Sequence, residues 1–289
     1  MQNKSVKVLQ FADMVDMGGI PVRQPMPSAL IERIDPFLLL HHHTGYVAEG
    51  SYQWEVGVGP HPHRGFSPVT FIIKGDVHHR DSRGNNAVVK AGGVQWLDAG
   101  MGIIHSERPS VAFAEKGGEQ EIVQLWVNTP AVHKMDQPNY QAINNEDMPK
   151  INLANELGAI HVVAGNYKNI KGTAKSKAEL IILRADFKPG GAHDFIIAEQ
   201  YALLIYVISG SITIEGYGPV AKLHLVYFNN DGDTIKINTE QNSTFLVLAG
   251  VPLNEKIESN GPFVMNSQTQ IMEAIRDYQM GKMGILIEE

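Results

Sequence analysis

Short apolar, β-branched runs, each closed by a turn signal, set the rhythm of this chain. Residues 67–74 (SPVTFIIK) stop at Gly75-Asp76, residues 87–90 follow Gly84-Asn85-Asn86, and residues 121–128 (EIVQLWVN) stop at Thr129-Pro130. Such runs predict strands, and their spacing predicts a sandwich or barrel. A second set covers residues 179–187, 201–208, 211–215, 223–228, 234–237 and 244–248, separated by glycine-rich turns. Two sets of similar size predict a duplicated barrel. Between them, residues 130–150 are polar and carry prolines and asparagines, which predicts an inter-domain connection. The expected domains are therefore 1–130, a linker at 131–150, and 151–289. Near the C-terminus the period changes. Ile271, Ile275 and Tyr278 fall at helical spacing, Ser267 is placed to cap, Gln270 follows three residues on, and Gly281 is a natural stop.

Composition narrows the function classes. Hydrophobic residues make up 43% and charged residues 19%, as in a globular chain long enough for two cores. The formal charge of -7 gives no basic face for direct nucleic-acid contact. The absence of cysteine excludes disulfides, zinc-thiolate sites and a cysteine nucleophile. The start does not read as a secretory signal, and the longest apolar runs are strand-sized, far short of a membrane span. A cytoplasmic monomer without membrane contact is expected, with a nuclear location open for a eukaryotic source.

Two short motifs carry the chemistry. In His61-Pro62-His63 the alternate side chains of an extended segment point to one face, and Pro62 favours an extended His61. His105-Ser106-Glu107 repeats the spacing with an imidazole and a carboxylate, after the tight turn Gly100-Met101-Gly102. If both strands face one barrel interior, four ligands converge: His61, His63, His105 and Glu107. Imidazole suits iron, copper, nickel and zinc, and the carboxylate tips the set toward harder ions. Four protein ligands leave two positions open on an octahedral ion, as catalytic sites require.

Longer segments resemble one family. His61-Pro62-His63-Arg64-Gly65-Phe66 and residues 95–107 (QWLDAGMGIIHSE) resemble the pirin family of cupins. So do residues 35–40 (DPFLLL), 124–128 (QLWVN), 138–141 (PNYQ) and 261–266 (GPFVMN), in the same order along the chain. The resemblance implies an all-β bicupin, with two cupin-type barrels packed face to face and a short C-terminal helix. It implies one mononuclear divalent metal, usually Fe(II), in the N-terminal barrel alone, held by His61, His63, His105 and Glu107. Other transition metals stay open. Several bacterial pirins act as quercetin 2,3-dioxygenases, so the expected partners are a flavonol-like aromatic substrate and dioxygen, with Glu107 as both ligand and proton acceptor. Animal pirins are iron-dependent co-regulators, so the alternative is a regulatory module whose metal is a redox switch read by a partner protein. Two departures bear on the pocket. Ser67-Pro68 stands where many cupins place a glutamate, and His41-His42-His43 stands where acidic or aromatic residues are usual.

Other residues admit a structural and a functional reading. His41, His42 and His43 form either a second metal site or, as preferred, a strand end or loop. His78-His79-Arg80-Asp81 reads first as a solvated strand end, and second as a place where His79 or Asp81 supports a metal ligand. Arg64 either pairs with a carboxylate, the preferred reading, or faces substrate. Trp54, Trp96 and Trp126 read as core. Phe66, Met101 and Ile103 fit either core or pocket wall. In the second half His193 stands alone and His224 lies in an apolar run, so no metal is expected there.

Overall fold

The computed structural model describes residues 2–288. The chain is mostly β and divides into two compact units. One comprises Leu39–Asn145 and the segment from Asn254 onward. The other comprises the segment up to Leu38 and Glu146–Leu253.

The expected strands form with small shifts at their ends. The run at 67–74 becomes Phe66–Lys74, the run at 121–128 becomes Gly118–Asn128, and the run at 201–208 becomes Ala202–Ser209. In the first unit an antiparallel sheet runs in the order Val58–His63, Ile103–Arg108, Asp76–Asp81, Asn86–Lys90. A second sheet contains, in order, Asn139–Ile143, Val94–Asp98, Phe66–Lys74, Gly118–Asn128 and Phe37–Val47.

The other unit repeats the plan. Its smaller sheet runs Ala192–Ile196, Thr234–Asn238, Ser211–Ile214, Gly218–Ala221. Both small sheets thus place their strands first, fourth, second, third in chain order. The larger sheet runs Val6–Phe11, His224–Phe228, Ala202–Ser209, Ser243–Gly250, Leu180–Phe187, and continues through Gly158–Ala164 and Lys150–Asn152.

This plan moves the boundaries read from the sequence. Val6–Phe11 pairs with His224–Phe228 just as Asn139–Ile143 pairs with Val94–Asp98 in the other unit. The N-terminal strand therefore completes the barrel of the second half, not the first. Residues 131–145, read as linker, belong to the first barrel. Asn139–Ile143 looked like linker because an edge strand tolerates polar side chains.

The second-half barrel has a large apolar core. Leu203, Ile205, Val207, Phe245, Val247 and Phe195 are among its buried residues. Each such side chain contributes roughly 1.5–3 kcal/mol by leaving water. The C-terminal helix spans Gln268–Gln279, and Ser267 Oγ accepts from the Gln270 N–H at 3.3 Å. Gln270 Oε1 in turn accepts from the N–H of Asn266, one residue before the cap. Ile271 and Ala274 are buried against Phe263, Met265 and Met283, while Tyr278 is exposed, so the packed face is narrower than the spacing implied. Among the described residues no helix is long and apolar enough to cross a membrane.

Candidate metal centre

Strand alternation and register bring the motif residues together. In the antiparallel pair formed by Val58–His63 and Ile103–Arg108, His61 lies opposite His105 and His63 opposite Ile103. Residues two apart share a face, so His61, His63, His105 and Glu107 all point the same way. On the other side of the His105 strand, Asp81 lies opposite His105 and His79 opposite Glu107. These two join the same face.

Three imidazoles converge. One ring nitrogen from each of His61, His63 and His105 lies within 4.8 Å of the others. His61 Nδ1 lies 2.8 Å from the Gly59 carbonyl oxygen. A carbonyl only accepts, so Nδ1 carries the proton and Nε2 keeps its lone pair. His105 Nε2 is buried and has no hydrogen-bond partner among the described residues. A buried polar atom left so costs about 1–3 kcal/mol. A lone pair facing two others is what a metal ion satisfies, so the residues present fit one.

Burial keeps His63 and His105 neutral. Burial holds His63 and His105 well below the ordinary histidine value of 6.5. A proton on His63 would also repel one on His61, and a proton on His105 would repel one on His61, His63 or His79, which lowers both further. Neutral imidazoles are the form that binds metal. Burial also pushes His41, His161 and His193 down to about 4. As pH falls below 6.5 the unfolded chain takes up protons that these folded rings refuse. Their contribution to stability is complete above 6.5 and is lost progressively below it. The metal-free protein should therefore melt at a clearly lower temperature near pH 5 than near pH 7 (about one and a half units below the 6.5 midpoint versus half a unit above it). Circular-dichroism melts check this, and an equal or higher melting temperature on the acid side would contradict it.

Glu107 lies outside the group of three and is held by a cradle. Its Oε1 accepts from Thr70 Oγ1 at 3.0 Å and from Gln95 Nε2, and its Oε2 accepts from Gln124 Nε2 at 2.9 Å. Each glutamine is oriented from behind. The Tyr140 hydroxyl donates to Gln95 Oε1 at 3.2 Å, and Trp126 Nε1–H donates to Gln124 Oε1 at 3.1 Å. With their oxygens so occupied, both amide groups turn their N–H bonds toward Glu107. Burial raises the Tyr140 phenol above its ordinary value, helped by the charges of Glu107 and Asp81, so it stays a donor. Two of the four lone-pair sites are filled on Oε1 and one on Oε2. One site on Oε2 stays open.

An apolar wall stands beside His63. Its ring meets Phe66 edge-on at 5.0 Å and Trp126 at 5.5 Å, and those two rings lie 4.3 Å apart. Phe66 is fully buried and Trp126 half-buried, so Trp126 borders the site, where the sequence had suggested plain core. Trp96 is core, as expected, but Trp54 is 57% exposed and stacks on Tyr52. It sits in the turn Gln53–Glu55, not in a strand. Arg64 is buried and pairs with Asp277 of the C-terminal helix at 3.1 Å, the structural reading.

The two histidine-rich stretches differ from the preferred readings. His41, His42 and His43 lie within the strand Phe37–Val47, neither at its end nor in a loop. His42 contacts Glu121 at 3.0 Å. His79 and Asp81 are buried and joined at 2.9 Å, not solvated. Their two-residue spacing puts them on the inward face of Asp76–Asp81, while His78 and Arg80 are less buried. The sequence reading did not single out Thr70, Gln95, Gln124 or Tyr140. The signal was there: Thr70 and Gln124 are polar residues inside otherwise apolar runs.

The other unit fills the equivalent face differently. Between Ala192–Ile196 and Thr234–Asn238, Phe195 lies opposite Ile235 and His193 opposite Ile237. Phe195, Ile235 and Ile237 are buried in the apolar core. His193 Nε2 instead meets the Tyr167 hydroxyl at 3.0 Å and Lys168 Nζ at 3.1 Å.

Two antiparallel barrels with this strand order, one lined by inward histidines, define a two-domain cupin protein. The chain belongs to the pirin family: the Pirin model matches residues 19–127, and the model described as Pirin C-terminal cupin domain matches residues 182–284. A Pseudomonas aeruginosa protein named "Putative quercetin 2,3-dioxygenase" is 35% identical over 91% of this chain and 92% of its own length. Human pirin is 31% identical over 92% of this chain and 89% of its own. The crystal structure of quercetin 2,3-dioxygenase from Acinetobacter baumannii superposes with a TM-score of 0.92 at 37% identity, covering 99% of this chain and 100% of that one.

Proposed function

We propose that this protein is a metal-dependent dioxygenase that cleaves flavonol-type substrates such as quercetin with dioxygen, using one mononuclear iron ion. The observation that carries the reading is the convergence of His61, His63 and His105, with the buried, unpartnered Nε2 of His105 among them. The likeness to the Acinetobacter enzyme over nearly the whole chain supports the substrate class. His61, His63 and His105 would hold the ion, with Glu107 as a fourth ligand. When bound, iron(II) supplies a Lewis acid and a redox partner for dioxygen.

The remaining roles belong to the chain. Glu107 takes the proton of the substrate hydroxyl at the open lone pair on Oε2. The cradle leaves that one lone pair of Glu107 free to accept a proton. Gln95, Gln124 and Thr70 keep the carboxylate aimed. Phe66 and Trp126 offer an aromatic wall for a flat ring system.

Oxygen uptake and loss of quercetin absorbance by the iron-loaded protein test this reading. Glu107→Gln should lower the rate about 100-fold or more, the usual scale for losing a positioned base. Wild-type protein that holds iron yet consumes no oxygen with quercetin would reject the dioxygenase and leave a binding or regulatory module.

A further inference from the structure

We infer that Asp81 and His79 set the tautomer of His105, and so determine which of its ring nitrogens is offered to a metal. The inference rests on the reading of His61, His63 and His105 as the metal-holding group.

Asp81 is fully engaged. Its Oδ1 accepts from the backbone N–H groups of Arg83 and Asn85 at 2.9 and 3.1 Å. Its Oδ2 accepts from Asn85 Nδ2 at 2.8 Å and lies 2.9 Å from His79 Nε2. Four donors fill four lone-pair sites, so the carboxylate is fixed in place. Burial pushes the Asp81 carboxyl up, but the hydrogen bonds from His79, Asn85 and the backbone outweigh it and hold the group below its ordinary value.

An ionised carboxylate only accepts, so His79 Nε2 carries a proton. In neutral His79 the Nδ1 atom then holds the lone pair. That atom lies 3.4 Å from His105 Nδ1. The pair makes a hydrogen bond only if His105 Nδ1 is the donor, and this leaves the lone pair of His105 on Nε2. The Nε2 atom is the buried, unpartnered one. The ring of Tyr140 fixes the plane of His79, stacking face to face at 3.8 Å and 5°. Outer partners of this kind orient ligating histidines in metal sites generally.

Nitrogen-15 NMR of histidine-labelled, metal-free protein reads the tautomer directly. Wild-type His105 should be the Nδ1–H form. In Asp81→Asn an amide N–H can donate to His79 Nε2, which turns His79 round and drives His105 to the Nε2–H form. Cobalt(II) affinity, measured by chelator competition, should then fall about 10–100-fold. His79→Leu keeps the contacts of Asp81 with Arg83 and Asn85 and removes the acceptor of His105 together with the donor to Asp81 Oδ2. It should show mixed His105 tautomers and an intermediate loss of cobalt affinity. A wild-type Nε2–H form, or an unchanged tautomer in both variants, would overturn the inference. None of these readouts uses turnover, so failure to cleave quercetin leaves it standing. The Nδ1–H form in a protein that never binds cobalt would support the relay and reject the metal reading.

Discussion

Replacing His105 by alanine should cut metal affinity by at least about 100-fold, more than outer partners are usually worth. The His105 ring packs against both of the others, with centroids 4.3 Å from His61 and 4.9 Å from His63. It is also the end of the inferred Asp81–His79 relay, so its loss removes a proposed ligand and the hydrogen-bond partner of His79 Nδ1. A ligand that binds the folded state alone raises its melting temperature by mass action. Wild-type protein should therefore melt higher when cobalt(II) or iron(II) is added, and His105→Ala should show almost no such rise. The metal-free variant also loses a buried ring and its contact with His79, so metal binding is read from the rise within each protein rather than from the metal-free melting temperatures. Competition with a chromophoric chelator measures the affinity. A variant that keeps wild-type affinity would place the ion elsewhere.

Lys134→Met is expected to be among the most destabilising single substitutions in the first unit, at about 3 kcal/mol or more. Lys134 is 1% exposed, and its ammonium donates to the Gly65 carbonyl at 2.5 Å, the Asn128 side-chain oxygen at 2.7 Å and the Val264 carbonyl at 3.0 Å. Methionine fills a similar volume but donates nothing. Three buried acceptors would then each lose a charged partner, at roughly 1–3 kcal/mol apiece. The local backbone has little freedom to compensate. Gly65 sits at φ +85°, and a Cβ there would lie 2.0 Å from the Val264 oxygen. Gly65 follows His63 by two residues, so a loosened loop also loosens a proposed metal ligand. Urea unfolding of the metal-free variant measures the loss, and chelator competition should show weaker metal binding alongside it. A loss below about 1 kcal/mol would mean that water or rearrangement satisfies those oxygens.

The convergence of His61, His63 and His105 was legible because two short segments, His61-Pro62-His63 and His105-Ser106-Glu107, each carry their own geometry in a two-residue period. The pairing that sets His61 opposite His105 is long-range, and only the folded register shows it. The cradle was less visible. Gln95, Gln124 and Thr70 are ordinary polar residues one by one, and act together only because three strands of one sheet bring them to Glu107. His79 and Asp81 looked like a polar strand end, since composition cannot tell a solvated charge from a buried pair. The strand Val6–Phe11 was hidden for another reason. Its partner, His224–Phe228, lies more than 200 residues away, so nothing nearby in the chain records the pairing.

Metal content of the purified protein, reconstituted with iron(II) and desalted, tests the account most directly. Inductively coupled plasma mass spectrometry should find close to one iron ion per chain. A protein that holds no iron, and no other transition metal under any reconstitution, would contradict it.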